Sequence, residues 1–141
     1  MLITSHGHSD VGFVRENNED SFLVDDHKGI YCVADGVGGL PFGNLASRMA
    51  VKLLNAMIHD SKNCTTADEL KAISHCVHQD VVECGHLVGG ENGVGTTFSA
   101  IRLLSDRFIF SISNGLRAMH YVYISTNSYA RIINRWGHWS Y

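Results

Sequence analysis

The run DSFLVDDHKGIYCVAD, residues 20–35, constrains the fold more than any other stretch of this chain. Two short β-branched and aromatic segments, Ser21–Asp25 and Ile30–Ala34, flank the polar residues Asp26, His27, Lys28 and Gly29, which is the signature of a β-hairpin. A four-residue loop fixes the register: residue 25 pairs with residue 30, and every other pair follows from that one. Asp20 therefore lies opposite Asp35, with Glu19 beside them. Carboxylates held that close repel one another. A divalent cation between them relieves the repulsion. Hard cations such as Mg²⁺ or Mn²⁺ take oxygen ligands, and Gly36, lacking a side chain, lets its backbone carbonyl join the set. Gly38 and Gly39 keep the following turn open to a close-approaching ligand. Any single Asp pair reads more simply as solvent-facing charge. The convergence of Arg15, Asn18, Glu19, Asp20, Asp35 and Gly36 favours the metal site.

The elements around the hairpin follow from periodicity. Over residues 43–60, Leu45, Met49, Leu53 and Met57 recur at steps of four with Ala46, Ala50 and Leu54 alongside, which predicts an amphipathic helix. Thr66 followed three residues later by Glu69 is a capping box. It opens a second helix to about residue 87, with Leu70, Ile73, Val77, Val81 and Cys84 on its buried face. GGENGVG (89–95) is a loop, and TTFSAIRLL (96–104), a turn at SDR and FIFSIS (108–113) form another hairpin. Beyond this, HYVYIS reads as a strand and the remainder follows no clean period.

At 141 residues the chain is one domain's worth. Its net charge of −3 gives no electrostatic case for nucleic acid or an anionic membrane. No stretch approaches the roughly 18–20 apolar residues that span a bilayer, and no basic segment followed by an apolar run marks a signal peptide. Cys32, Cys64, Cys76 and Cys84 show neither CxxC nor scaffold spacing and read as reduced thiols of a cytoplasmic protein. His6, His8, His75 and His78, with Cys76, lack the spacing of a tetrahedral zinc site. GGENGVG lacks the Lys and Ser/Thr of a nucleotide-binding loop.

Three motifs in order, SDVGFVRENNEDSF, YCVADGVGG followed by GNLAS, and GVGTTFSAI, resemble the metal-dependent protein serine/threonine phosphatases of type 2C in their bacterial form, over about residues 7–110. The resemblance implies an α+β fold: a sandwich of two antiparallel β-sheets flanked by helices on both faces (four-layer α-β-β-α), here incomplete at the C-terminus. It implies two Mn²⁺ or Mg²⁺ ions and a phosphorylated protein as substrate. Asp35 would bridge the metals, Gly36 would ligate one through its carbonyl, Asp20 and Glu19 would hold metal-bound waters, and Arg15 would grip the substrate phosphate. Two close cations generate a hydroxide nucleophile from water, so no phosphoenzyme is required.

The charge distribution breaks that pattern. Residues 1–106 carry all 14 carboxylates and a net of −7, whereas residues 107–141 carry four Arg, no carboxylate and a net of +4. Where the family has a GDSR-type motif, this chain reads SISNGLRAMHYV. Residues 1–113 thus resemble the N-terminal part of a phosphatase domain, and 114–141 a divergent tail, truncated or frame-shifted. Two divalent cations bring four positive charges against at most three from Asp20, Asp35 and Glu19, so the expectation is a weakly active or inactive phosphatase. The alternative is a non-catalytic phosphoprotein-binding or regulatory module that keeps Arg15 and one metal.

Overall fold

The computed structural model describes residues 4–37, 42–59, 63–89, 94–114, 117–126 and 129–136, with side chains as far as residue 113. Strands β1 (Asp20–Asp25) and β2 (Ile30–Asp35) precede helices α1 (Gly43–Met57) and α2 (Ala67–Gly89), and β3 (Thr97–Leu103), β4 (Phe108–Asn114), β5 (Arg117–Thr126) and β6 (Tyr129–Trp136) follow. All six strands form one antiparallel sheet in the order β1-β2-β3-β4-β5-β6. The helices are thus inserted between two strands that pair directly.

The hairpin has the register its loop length dictates: Asp25 pairs with Ile30, Leu23 with Cys32 and Asp20 with Asp35. Gly29 closes the turn at φ 67°, donating its N–H to the Asp25 carbonyl at 2.8 Å. A Cβ at Gly29 would stand 2.7 Å from the Leu103 carbonyl oxygen, so the position suits glycine on both counts.

Strand alternation sorts the side chains. Ile30, Cys32 and Ala34 of β2, Phe98 and Ala100 of β3 and Ile109 of β4 point to one face, where α1 and α2 bury them. The opposite face carries Phe22, Val33 and Ile101, of which Val33 is 61% exposed, together with the tilted Phe108–Phe110 ring pair. Residues near the start of the chain shield one corner of that face. Ser5 donates its N–H to Asp26 Oδ2 at 3.0 Å, and Gly7 lies so close to the Phe22 ring that any side chain there would collide with it. The described residues therefore supply one sheet and one helical layer of the expected α+β fold.

Two expectations need correction. On α1 the buried stripe is Gly43, Ala46, Ser47, Ala50, Val51 and Leu54, while Leu45 is exposed and Met49, Leu53 and Met57 are half-buried. The face is rotated by one residue because small side chains let the helix approach β1 and β2 closely. The Ser21–Ser47 hydroxyl pair at 3.0 Å records that approach. On α2, Leu70, Val77 and Val81 are buried as the pattern indicated, joined by Ser74, with Ile73 and Cys84 at the margin. The tail segment read as lacking a period forms β6. Most of the GGENGVG loop, residues 90–93, lies outside the described residues. Arg102, 1% exposed on the helix-facing side of β3, donates to the Cys64 carbonyl at 3.3 Å and tethers the segment entering α2. Burial pushes the Cys64 thiol up to about 11 and the Cys32 thiol to about 12, which makes both poor nucleophiles.

The cap of α2 is built as the capping box requires. Thr66 Oγ1 accepts the Glu69 N–H at 3.2 Å, and Glu69 Oε2 accepts the N–H groups of Thr65 and Thr66 at 2.7 and 2.9 Å. These bonds, that from Thr65 first, hold the Glu69 carboxyl below its usual range. Thr66→Ala should therefore cost about 1 kcal/mol of unfolding free energy in urea titrations at neutral pH. A carboxyl with a depressed folded pKa gives stability above its unfolded pKa that is lost as pH falls through the folded value. Glu69→Gln should accordingly flatten the acid limb of the wild-type curve, and an unchanged limb would show that the cap contributes nothing through its charge.

Candidate metal and phosphate site

The entry of β1 and the exit of β2 bring the sequence-predicted residues to one place. Asp20 and Asp35 are direct cross-strand partners, and both side chains are exposed at the sheet end. The Asp35 carboxyl is pushed above its ordinary value by partial desolvation first, then by Asp20 and Glu19, against the opposing pull of Arg15. Asp20, Asp35, Glu19, Arg15 and Asn18 line one cavity of about 330 Å³ with the turn at residues 10–14.

Each side chain is positioned by a separate local device. Asn18 Oδ1 accepts the Asp20 N–H at 2.9 Å and its Nδ2 donates to Ser9 Oγ at 2.8 Å, which pins the chain as it enters β1. Arg15 Nη1 donates to Glu19 Oε2 at 3.1 Å, an ion pair with Arg15 still 59% exposed. The Glu19 carboxylate also lies against the first turn of α1, since a Cβ on Gly43 would meet its Oε1 at 2.9 Å; a helix N-terminus favours negative charge. Gly36 donates its N–H to the Glu19 carbonyl at 3.1 Å, and a side chain there would strike the Gly43 backbone at 2.5 Å. The glycine is thus required by the close passage of β2 past α1. Gly38 and Gly39 lie outside the described residues.

Two residues of the site escaped the sequence reading. Thr97 Oγ1 accepts the Asp35 N–H at 3.2 Å, and Thr96 Oγ1 donates to the Asp35 carbonyl at 2.9 Å. The two hydroxyls clamp Asp35's backbone from the entry of β3. Adjacent threonines after a glycine-rich loop were the available signal, but their use depends on β3 pairing with β2. Among the described residues, no group of three or more His, Cys, Asp or Glu side chains is disposed to hold a metal ion, and the histidines form no such cluster. Asp20 and Asp35 offer a two-carboxylate donor set, while Glu19 is engaged by Arg15.

No family model matches the chain. The serine/threonine phosphatase stp of Listeria monocytogenes serotype 4b is 32% identical over 111 residues, covering 73% of this chain and 44% of that protein. The chain thus spans less than half the length of this curated relative. Among solved structures, the Mycobacterium tuberculosis serine/threonine phosphatase PstP superposes with a TM-score of 0.66 at 24% identity, covering 91% of this chain and 52% of its own. The PstP catalytic domain in complex with two manganese ions gives 0.65 at 25% identity, covering 89% and 52%.

The opposed carboxylates make a direct stability prediction. In metal-free buffer at neutral pH, Asp35→Asn should raise the unfolding free energy by roughly 0.2–1 kcal/mol, because it removes a like charge facing Asp20. A carboxyl whose folded pKa is raised destabilises the native state as pH rises above its unfolded pKa, fully so above the folded value. The advantage of the variant should shrink as pH falls through that raised value. Equal stability of the two proteins at all pH values would mean that the pair does not interact.

Proposed function

A relative of the metal-dependent serine/threonine phosphatases of type 2C over their N-terminal part, this chain carries, we propose, the phosphate-gripping and first-metal half of a protein phosphatase site. The observation that carries the reading is the meeting of Asp20, Asp35, Glu19 and Arg15 around one cavity. On this reading Asp35 would be the principal ligand of a Mn²⁺ or Mg²⁺ ion, Asp20 and Glu19 would hold water around it, and the Gly36 carbonyl would be a further oxygen ligand. When bound, such a cation would supply an activated water and charge to offset the phosphoryl oxygens in hydrolysis of a phosphoserine or phosphothreonine ester of a protein substrate. Arg15 presents a planar fork, of which Nη1 meets Glu19, and its exposure leaves it within reach of a phosphate.

Residues 1–113 form the phosphatase-like part on this reading, and residues 114–141 a divergent tail. Positions 107–141 contain no carboxylate, so that segment offers no acidic ligand for a second cation. Mg²⁺ dehydrates reluctantly and binds poorly to a sparse ligand set. One weakly held ion with little or no turnover is the expected state. The second reading, a phosphoprotein-binding module, draws support from the same imbalance: Arg15 is present and exposed while the acidic set stays small.

Three measurements test this. Calorimetry should detect Mn²⁺ binding that Asp35→Asn abolishes and His75→Ala leaves unchanged; equal affinity in the wild type and Asp35→Asn would remove Asp35 from the role. Arg15→Ala should weaken phosphopeptide binding by about 1.5–3 kcal/mol, the range for hydrogen bonds to charged groups, while Mn²⁺ still binds. Hydrolysis of a phosphothreonine peptide in millimolar Mn²⁺ separates the readings. Asp35-dependent turnover supports the phosphatase, and binding without turnover supports the module.

A further inference from the structure

The loop that delivers Arg15 also displays apolar side chains. Asp10 Oδ1 accepts the Gly12 N–H at 2.7 Å and Gly12 takes φ 72°, which turns the chain sharply outward. Phe13 and Val14 then stand 109% and 94% exposed, more than any other large apolar side chain among the described residues, and Val11 beside them is 39% exposed. An isolated exposed apolar residue needs no explanation; two adjacent ones at the mouth of a charged cavity do. Both line the cavity that Arg15, Asp20 and Asp35 line. The cavity therefore has a charged wall and an apolar lip.

Consecutive Cα atoms are about 3.8 Å apart, so Val14 and Phe13 lie one and two such steps from Arg15 along the loop. The side chain next to a phosphorylated residue in a peptide is displaced from the phosphoresidue by one such step, the spacing of Val14 from Arg15, and Phe13 extends the lip by a second. We propose that Phe13 and Val14 receive an apolar side chain immediately flanking the phosphoserine or phosphothreonine, so that the site selects phosphopeptides with a hydrophobic neighbour. This selectivity rests on the reading of Arg15 as the phosphate grip. Arg15 fixes the phosphate through charge, and the lip discriminates by removing apolar surface from water, a contribution that salt does not screen.

The test compares dissociation constants, by fluorescence anisotropy, for two labelled phosphothreonine peptides bearing Leu or Gly on both sides of the phosphoresidue. The wild type should bind the Leu peptide about fivefold more tightly, the effect of half-burying one leucine. Phe13→Ser combined with Val14→Ser should bring the ratio close to one, and Phe13→Leu should retain it. Because the readout is a ratio within one protein, a general loss of binding does not mimic the result. Equal affinity for both peptides, with binding that inorganic phosphate displaces and Arg15→Ala weakens, would overturn the lip and leave the phosphate grip standing. A preference that survives in the double variant would overturn it as well. Binding insensitive to both phosphate and Arg15→Ala would sink the underlying reading and this inference with it.

Discussion

The cross-strand pair of Asp20 and Asp35 is the interaction on which the site depends, and it is unfavourable in itself. A four-residue turn with Gly29 in the left-handed region sets the hairpin register, and that register leaves no freedom in which carboxylates face each other. A slip of one residue would separate the pair. It would also turn Ile30, Cys32 and Ala34 away from α1, which is why the hydrophobic layer enforces the electrostatic strain. The core and the site are two readings of a single alternation. Residues 30, 32 and 34 face the helices, and residue 35 falls at the end of the opposite row.

How much of this was legible in the sequence follows from how local each determinant is. The hairpin and the α2 cap depend on contacts within a few residues, and both are found where the pattern put them. The buried face of α1 depends on a partner. Spacing of four marked both the large-residue stripe of Leu45 and the small-residue stripe of Ala46, and only the close approach of the sheet selects the second. Arg102 is harder still. An arginine in an alternating strand reads as outward, yet here it turns inward to the carbonyls of Asn63 and Cys64, which no local pattern announces. The same holds for Thr96 and Thr97, whose partner Asp35 lies about sixty residues earlier.

The sheet is covered on one face only among the described residues. The face carrying Val33 and Ile101 meets no helix there, although its alternation is as apolar as that of the covered face at β1 and β4. Solved relatives are matched over about half their length. One sheet with one helical layer is the part of that fold that the described residues supply. The acidic residues all lie before β4.

The ion pair of Arg15 and Glu19 gives the candidate site an internal coupling. Glu19 is shared among three demands: the guanidinium of Arg15, the first turn of α1, and, on the proposed reading, water around a cation. A cation that draws the Glu19 carboxylate toward itself weakens its hold on Arg15 and leaves that fork freer for phosphate. Linkage requires the converse, so phosphate at Arg15 must strengthen cation binding by the same factor. Coulomb attraction between the bound cation and phosphate acts in the same direction. Phosphate affinity measured by titration should therefore rise when Mn²⁺ is added, and Glu19→Gln, which keeps an oxygen acceptor but loses the charge, should reduce the enhancement. Independent binding of phosphate and Mn²⁺ would mean that the Arg15–Glu19 pair is only a surface ion pair of little consequence.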